Sequence, residues 1–348
     1  MKTTELMEKM VDKIEFFTQD VGALKDMRGE RLYFELNRVG ATYGEYFKVT
    51  GSNIRDYCRD QFKIDLPNCT IEKFFSSDPN AKWLFPDIVR EGVLSGLRHR
   101  PIHNRLVASE ETAEGNSYQV PYVDEKENEA EEEALDVAEG ADIPESEIKY
   151  GDRIVVIGKK GRGIIASYEA MRRMKINMLR VHLERVGQRV GIQLDNRCGE
   201  VLRVGNSTES APTAIPVITP GALVYEDLTM GFVELMDNRN FTPTNILCSA
   251  TTKRKILNMA EFKDPLVFDF ARTGKTPSPL GLTLDALRNQ PDNQVTILDK
   301  AFAVVKVTEN DVTVESDKLI SKQWDRSYIT LNVDFAILYK DARVVIQI

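Results

Sequence analysis

The chain of 348 residues is poor in the side chains on which most catalytic and metal sites depend. Its only histidines are His99, His103 and His182, and its four cysteines are widely spaced with no CxxC pair. Pro101 stands between the two histidines that lie four residues apart, so a single helix cannot align them as metal ligands. The chain also lacks the GxSxG motif of a nucleophile elbow. These absences predict no catalytic residue, no cofactor and no metal site, and the spacing of the cysteines favours reduced thiols.

Long apolar runs are absent as well. No window approaches the ~20 apolar residues that a membrane-spanning helix needs. The charged start, MKTTELMEKMVDK, does not match a signal peptide, which needs an apolar core at this place. The sequence therefore predicts a soluble protein made in a cytosol, without a membrane partner.

Two segments rich in glycine and lysine superficially match phosphate-binding loops. Residues 158–163 read GKKGRG, and Gly274-Lys275-Thr276 forms the second segment. The second has Asp269 where the motif requires a glycine, and no clear helix follows it. Both are therefore predicted to be turns, the first of them the basic tip of a loop.

The acidic charge of the chain is concentrated in one segment. Residues 124–149 hold twelve carboxylates and two lysines, a net charge of −10. The whole chain carries −8, so the remainder carries +2. The segment lacks the DxDxDG spacing of a calcium-binding loop, and we interpret it as a solvated flap inserted into the fold.

Residues 150–199 organise the chain. Arg153 to Ile157 is rich in β-branched residues and predicts a strand, and Ser167 followed by Glu169 predicts the start of a helix. No proline follows for about thirty residues, which predicts one helix about 45 Å long that ends near Gly199. Apolar residues recur along it at steps of three and four: Leu179, Leu183, Val186, Val190 and Leu194.

The same helix carries more arginines than acids. Two interpretations stay open: an ordinary solvated face, or a positive surface that neutralises a polyanion without reading its sequence. The residues that the second interpretation places against the polyanion are Arg172, Arg173, Arg180, Arg185 and Arg189.

The flanking segments are predicted from periodicity and turn residues. Residues 1–25 form an amphipathic pattern, and a helix-turn-helix placed on Thr42 to Asp60 would lack a basic recognition face. Pro86 suits the first turn of a helix that ends near Leu97. Alternating residues predict a strand from Ser117 to Val123.

The C-terminal half alternates strands and helices. Residues 222–236 and 251–262 are predicted helices around a short buried strand from Asn245 to Ser249, as in a compact α/β lobe. Residues 268–291 are predicted to be mostly loop, and strands follow. The predicted strands are Gln294–Leu298, Ala301–Val307, Val312–Glu315, Tyr328–Tyr339 and Ala342–Ile348, the last two with the β-branched density of antiparallel sheet.

Several of these segments together carry a family resemblance. They are Trp83-Leu84-Phe85-Pro86-Asp87-Ile88-Val89 with Gly96-Leu97, the segments Ser117 to Val123 and Tyr150 to Ile165, Ala166-Ser167-Tyr168-Glu169-Ala170-Met171, the unit 219–293, and Ala301 to Ile348. In this order they resemble the major capsid proteins of tailed double-stranded DNA phages, which have the HK97-type fold. The resemblance covers residues 81–348 and rests on the order of elements, not on an invariant motif.

The resemblance implies an α+β fold of the HK97 type with an N-terminal arm, an extended β-hairpin loop, a long spine helix, and axial and peripheral domains. The implied boundaries are 1–80 for the arm, 81–116 for the helix region that leads into the peripheral domain, 117–165 for the extended loop with its acidic insertion 124–149, 166–218 for the spine helix and peripheral domain, 219–293 for the axial domain, and 294–348 for the peripheral sheet and C-terminus.

The resemblance also implies a function. The chain would be a structural virion protein, made in the host cytoplasm, whose pentamers and hexamers form an icosahedral shell around double-stranded DNA. Contact with DNA would be non-specific, and portal, scaffolding or decoration proteins are the further partners that the resemblance allows. The residues expected at subunit interfaces are Tyr118, Val120, Tyr122, Lys159, Lys160 and Arg162.

Three alternatives to a phage shell stay open, and one of them is a DNA-binding regulator that uses residues 28–62. A bacterial encapsulin shares the fold but encloses enzymes, and the long N-terminal segment and extended loop favour the phage shell over it. An enzyme with an unrecognised site is the alternative from another functional class. A purified chain that stayed monomeric under all conditions would contradict the shell.

Overall fold

The computed structural model describes residues 16–18, 27, 29–39, 41–99, 101–123, 148–150, 153–207, 209–263 and 279–348. The chain divides into two compact units. The first consists of Met1–Arg100, Gly161–Gly191 and Val312–Leu331, and the second of Pro101–Lys160, Ile192–Asp311 and Asn332–Ile348. The helix predicted over residues 1–25 lies almost entirely outside the described residues; Phe16 to Thr18 are helical.

After the helical residues Phe16 to Thr18, the described N-terminal portion of the first unit contains the α-helices α1 Gly29–Arg38, α2 Tyr43–Thr50, α3 Ile54–Phe62, α4 Ile71–Ser77 and α5 Phe85–Leu97, with a 3-10 helix at Ala81–Leu84. Three begin at a polar cap, because the side chains of Thr42, Asn53 and Thr70 each accept the backbone N–H three residues later. Gly51 ends α2 at φ 66, a left-handed conformation that glycine adopts without steric cost. Helices α1 to α3 are elements that the sequence pattern did not predict.

These helices pack on a core of their own unit. Leu32, Tyr46 and Phe74 are fully buried in one apolar cluster that also contains Leu183 and Ile329. The described residues between 29 and 77 therefore form a packed helical region. The helix predicted to begin near Pro86 is confirmed as α5, with the proline in its first turn.

The predicted long helix is two helices: α6 Tyr168–Arg173 and α7 Ile176–Val204. Its start is confirmed, since the Ser167 hydroxyl accepts the N–H of Ala170. The interruption at Met174 has a tertiary cause. The Met174 carbonyl accepts the N–H of Ile71, and the N–H of Ile176 donates to the Cys69 carbonyl. This short β-like pairing draws residues 174–175 out of helical geometry, which periodicity cannot reveal.

The predicted helix end at Gly199 is wrong. Gly199 lies inside α7, where a Cβ would come within 2.2 Å of a methyl carbon of Leu287. Glycine is required at this point for close packing and not for a helix end. The helix continues to Val204, and Gly205 follows it at φ 88.

A four-stranded sheet has the order β1 Glu110–Thr112, β11 Val304–Leu319, β12 Trp324–Ile337 and β6 Lys159–Ser167. Two predictions are corrected here. The GKKGRG segment is not a turn, since Lys159 to Gly163 belong to strand β6. The strands predicted at 301–307 and 312–315 merge into the single strand β11, which begins only at Val304.

A five-stranded sheet in the second unit has the order β7 Ala214–Pro216, β13 Arg343–Gln347, β10 Gln294–Leu298, β8 Asn245–Cys248 and β9 Thr283–Ala286. Strand β10 is antiparallel to β13 and to β8, whereas β7 and β9 each run parallel to their neighbour. Strand β9 lies in the segment predicted as loop. The last two predicted strands do not pair, because β12 and β13 lie in different sheets.

Helices cover this second sheet: α8 Tyr225–Val233, a π-helix Glu234–Asn238, α9 Ala250–Leu257 and α10 Ala260–Lys263. Leu228, Ile256 and Ile297 are fully buried in the shared core. The α/β lobe predicted here is therefore confirmed in its main elements. Within the described part of the chain, no helix is both long and apolar enough to cross a membrane.

Candidate functional site

A narrow ribbon in the second unit corresponds to the predicted extended loop. Strand β2 Ser117–Gln119 pairs antiparallel with β5 Ile154–Val156, and β3 Tyr122–Val123 pairs antiparallel with β4 Ile148–Lys149. Both pairs bring the two sides of residues 117–156 together as a hairpin. The acidic residues 124–147 connect β3 to β4 and lie outside the described residues.

The predicted interface residues of the ribbon occupy different environments. Val120 is fully buried in a small core with Val155 and Ala336, so its side chain is not on a surface of the subunit. Tyr118 is half-buried against the same core, and burial raises the pKa of its phenol. Tyr122 is in β3, opposite Lys149.

The basic residues of β6 also separate into two kinds. Lys160 is partly buried and donates a hydrogen bond from Nζ to the carbonyl of Val333, and burial lowers the pKa of its ammonium group. Lys159 and Arg162 are exposed. Since β6 is an outer strand of its sheet, these two charges lie on a sheet edge, where they discourage uncontrolled strand pairing.

The five arginines predicted to face DNA do not form one surface. Arg172 and Arg173 lie on α6, and Arg172 Nε is 4.0 Å from a carboxylate oxygen of Glu72 with both side chains mostly exposed. Such an exposed pair contributes little to stability and leaves the arginine available. Arg180 on α7 is paired with Glu184 at 3.3 Å.

Arg185 and Arg189 lie on a different side of α7 from Arg180. The five residues from Arg180 to Arg185 turn the helix by one full circle and about 140° more. We name this line of exposed residues the outer stripe of α7. It consists of Met178, Val181, His182, Arg185 and Arg189.

One buried cluster contains the residue types of a Cys–His–Asp site. His103 Nδ1 is 2.6 Å from Asp195 Oδ1, which also accepts the backbone N–H groups of Ile102 and His103. Cys198 is fully buried one helical turn after Asp195, and burial raises the pKa of its thiol. A nucleophilic cysteine needs a thiolate and access for a substrate, and this cluster offers neither. The hydrogen bonds of Asp195 attach residues 102–103 to α7. His103 and Asp195 are 92 residues apart in the sequence, so a local sequence pattern cannot predict this contact.

A second buried group closes the end of α7. Arg343 is fully buried and donates to the carbonyls of Val201 and Ser210, at 2.9 and 2.7 Å. Burial lowers the pKa of its guanidinium to about 10, so the group is still cationic at neutral pH. A cation beside the last carbonyls of a helix opposes the partial negative charge there. Its role is structural.

The described residues contain no cluster of histidine, cysteine or acidic side chains that could hold a metal ion. All four cysteines are buried and unpaired. A surface pocket of about 50 Å³ in the first unit, between α3, α5 and the start of α7, is large enough for one side chain only. Among the described residues, the remaining candidate features are surfaces, strand edges and charged faces.

Comparison with known proteins identifies the family of the chain. Residues 150–345, more than half of the chain, match the family model described as phage capsid protein. The chain belongs to the phage capsid protein family. This capsid protein is structural and not enzymatic, it is a component of the virion shell, and capsid proteins of this kind self-assemble into oligomeric shells.

Solved structures agree on the fold of the capsid protein. A structure from Microbacterium phage Oxtober96 is 14% identical with a TM-score of 0.52, over 71% of this chain and 90% of that chain. The virus-like particle of Pyrococcus furiosus is 14% identical with a TM-score of 0.50, over 76% and 99%. The capsid of cyanophage P-SCSP1u is 16% identical with a TM-score of 0.50, over 71% and 88%. These likenesses show an HK97-like fold, and no curated protein matches the capsid protein in sequence.

Proposed function

We propose that this chain is the main building block of an icosahedral shell, in which pentamers and hexamers of identical subunits enclose double-stranded DNA. The observation that carries the proposal is the match of residues 150–345 to the capsid family. A hairpin ribbon and an open sheet edge support it, because heterologous contacts between different patches of identical subunits close into rings and shells.

The outer edge of β6 is the surface that we propose for subunit contact. Its first half carries Lys159 and Arg162, and its second half is apolar. Ile165 in that half is 55% exposed. An apolar stretch on a strand edge is a liability in a monomer, but in a shell a neighbouring subunit would cover it. Tyr118 and Tyr122 on the ribbon stay proposed members of the same contact.

A matched pair of isoleucine variants tests this contact. Ile165→Lys should leave the subunit folded and reduce the yield of particles at least ten-fold in light scattering and negative-stain images. Ile218→Lys is the control, because Ile218 is equally exposed, at 54%, but lies in a loop beside β7. Normal assembly of Ile165→Lys would remove β6 from the interface. A wild-type chain that stayed monomeric at every concentration and salt would contradict the shell itself.

For contact with DNA we propose α6. Arg172 and Arg173 are exposed, and Lys175 follows them as a third exposed cation. Neutralisation of phosphates by such side chains is independent of sequence and weakens with salt. Arg172→Gln with Arg173→Gln should lower the ratio of nucleic-acid to protein absorbance in purified particles, while particle yield stays unchanged. The double variant Arg185→Gln with Arg189→Gln is the charge-matched control.

The domain boundaries are also proposals. The lobe that we propose as the axial domain extends beyond 219–293, since β10 and β13 pair with each other and β10 pairs with β8. A boundary at residue 293 would divide one hydrogen-bonded sheet. We therefore assign β7, β10 and β13 to that lobe, and keep residues 166–213 for the spine helices and 117–165 for the extended loop.

A further inference from the structure

Five residues after α7 form a small anchor in the second unit, and we name them the anchor segment: Gly205, Asn206, Ser207, Glu209 and Ser210. Gly205 turns the chain at φ 88, and a Cβ there would come within 2.3 Å of the Glu209 carbonyl oxygen. The N–H of Asn206 donates to this carbonyl, and the Asn206 side chain accepts the N–H of Glu209. The anchor segment is therefore held together by its own hydrogen bonds.

The anchor segment attaches the root of the hairpin ribbon. The Ser207 hydroxyl donates to the carbonyl of Ile154 in β5, at 2.7 Å. Arg153 directly precedes β5, and its Nη2 lies 2.6 Å from a carboxylate oxygen of Glu209, with both side chains mostly buried, at 23% and 13% exposed. Arg153 Nη1 also donates to the Leu338 carbonyl, at a long 3.4 Å. The Arg153–Glu209 pair is therefore a buried charged contact between the ribbon and the segment that follows α7.

A second arginine lies close to Glu209. Besides its structural contacts with the carbonyls of Val201 and Ser210, Arg343 has a buried Nε donor without a hydrogen-bond partner in the described part of the chain. Burial lowers the pKa of the Arg343 guanidinium, and the Glu209 carboxylate opposes this effect by favouring the charged form. Glu209 thus interacts with two guanidinium groups, one at the root of the ribbon and one on β13 of the lobe.

The second arginine changes the cost of detaching the ribbon. Breaking a buried ion pair is costly when it leaves one charge buried without a partner. If the root of the ribbon moves away, Arg153 enters water and Glu209 stays beside Arg343, whose Nε is available as a donor. The carboxylate is therefore compensated in both arrangements. The two arrangements differ less in free energy than they would if Arg153 were the sole partner of Glu209.

We propose that Glu209 is a two-position switch for the ribbon. In the observed position Glu209 pairs with Arg153 and fixes the direction of the ribbon root, and in the second position it pairs with Arg343 and releases the root. The inference rests on the proposed shell. Pentamers and hexamers place neighbouring copies at different angles, so a ribbon with one fixed direction would not fit both. A neighbour that binds the released ribbon more tightly shifts the subunit to the second position.

Amide hydrogen exchange on the isolated subunit tests the switch. Arg153→Met removes the ion pair, and the exchange of the Val120 and Ile157 amides should become about ten-fold faster. These two amides donate across the ribbon root, to the carbonyls of Arg153 and Asn116. The melting temperature should change little, because the second position still compensates the carboxylate. An unchanged exchange rate would overturn the inference, and so would a variant that fails to fold.

Arg105→Met is the matched control. Arg105 Nη2 is 2.7 Å from Oδ1 of Asp285, whose side chain is 9% exposed. Within the described ranges, Asp285 forms an ion pair with no other residue, and its Oδ2 has no hydrogen-bond partner. Arg105→Met should therefore lower the melting temperature more than Arg153→Met does, and should leave the exchange of the ribbon amides unchanged. Equal losses of melting temperature in the two variants would contradict the switch.

Glu209→Gln separates a switch from a simple ion pair. This variant removes the carboxylate from both positions, so it should free the ribbon root as Arg153→Met does. It should also lower the melting temperature, because Arg343 loses a nearby negative charge. If Glu209 served Arg153 alone, Glu209→Gln and Arg153→Met would have the same melting temperature, and the inference would be wrong.

Particle size distinguishes this inference from the proposed function. Arg153→Met should still form shells, but their diameters in negative-stain images should spread more widely than those of the wild type, because the ribbon root has lost its fixed direction. Diameters equal to those of the wild type would overturn the role of the switch in assembly. If wild-type chains form no particles, the proposed function fails, whereas the exchange measurements on the subunit still decide whether Glu209 switches.

Discussion

Gly96 of α5 lies directly against the backbone of Glu184 in α7. A Cβ at Gly96 would come within 2.0 Å of the Glu184 carbonyl oxygen, and a Cβ at Gly187 would come equally close to the carbonyl of Val93. The two helices thus cross with backbone against backbone, through a GxxxG spacing on each: Gly92 with Gly96, and Gly187 with Gly191. Such close approach maximises dispersion contacts and leaves no room for any side chain.

Adding one methyl group at this crossing should therefore be costly. Gly96→Ala is expected to destabilise the subunit by about 3 kcal/mol, or to prevent soluble expression, because two packed backbones must separate. Gly44→Ala is the control, since Gly44 is helical in α2 and its Cβ would meet nothing closer than 3.8 Å. That variant should stabilise by about 0.5–1 kcal/mol. Equal effects of the two variants in denaturant unfolding would contradict the crossing.

The apolar side of α7 gives a second prediction. Leu183 is buried in the core of the first unit, whereas Val181, two residues earlier, is exposed. Leu183→Asp should abolish soluble subunit, because a carboxylate would be buried without a partner. Val181→Asp should remain soluble. The soluble fraction after expression measures both, and a soluble Leu183→Asp subunit would show that this face is assigned wrongly.

Asp87 in the first turn of α5 should make stability depend on pH. Burial raises the pKa of its carboxyl from 3.8 to about 6, against the opposing effect of Arg90, and one carboxyl oxygen has no hydrogen-bond partner in the described part of the chain. A pKa that is higher in the folded state means that the folded subunit binds the proton more tightly. This carboxyl therefore contributes most to stability below pH 4, and the contribution is lost as pH rises through about 6.

Asp87→Asn should consequently be more stable than the wild type at pH 7.5, by on the order of 2 kcal/mol. The difference should shrink toward zero near pH 4, where the wild-type carboxyl is also neutral. Thermal unfolding at a series of pH values measures this. A constant difference at every pH would mean that the variant acts through packing and not through ionisation.

Removal of the acidic segment separates folding from assembly. Deleting residues 126–147 leaves Asp124 and Glu125 between Val123 and Ile148, which is the length of a two-residue hairpin turn. The isolated subunit should keep its melting temperature, while particles should form in lower yield or melt earlier. Particles with unchanged yield and thermal stability would show that the segment takes no part in assembly.

Local chemistry explains most of what could be predicted from the sequence. The preference of serine for a helix cap and of proline for a first helical turn depends only on neighbouring residues. Both predictions, for Ser167 and for Pro86, are confirmed. The same rules fail where glycine has more than one use. Gly51 ends a helix and Gly199 fills a close contact inside one, and neither role follows from the identity of its neighbours.

The candidate surfaces were less predictable than the elements. The five arginines looked equivalent in sequence, but Arg180 is neutralised by Glu184, and Arg172 lies on a different helix from Arg185. Val120 fits the alternating pattern of a strand, but its side chain is buried in the core of its own unit and cannot contact a partner. The paired GxxxG spacings were the one signal in the sequence that could have located the crossing of α5 and α7.

By itself the sequence determined the types and approximate order of the elements, the acidic insertion and the resemblance to capsid proteins. These depend on interactions within a few residues and on composition. Tertiary structure alone decided that the long helix breaks at Met174, that GKKGRG becomes an edge strand, and which arginines stay exposed. Each of these depends on hydrogen bonds or packing between residues far apart in the chain, and a local pattern carries no information about such partners.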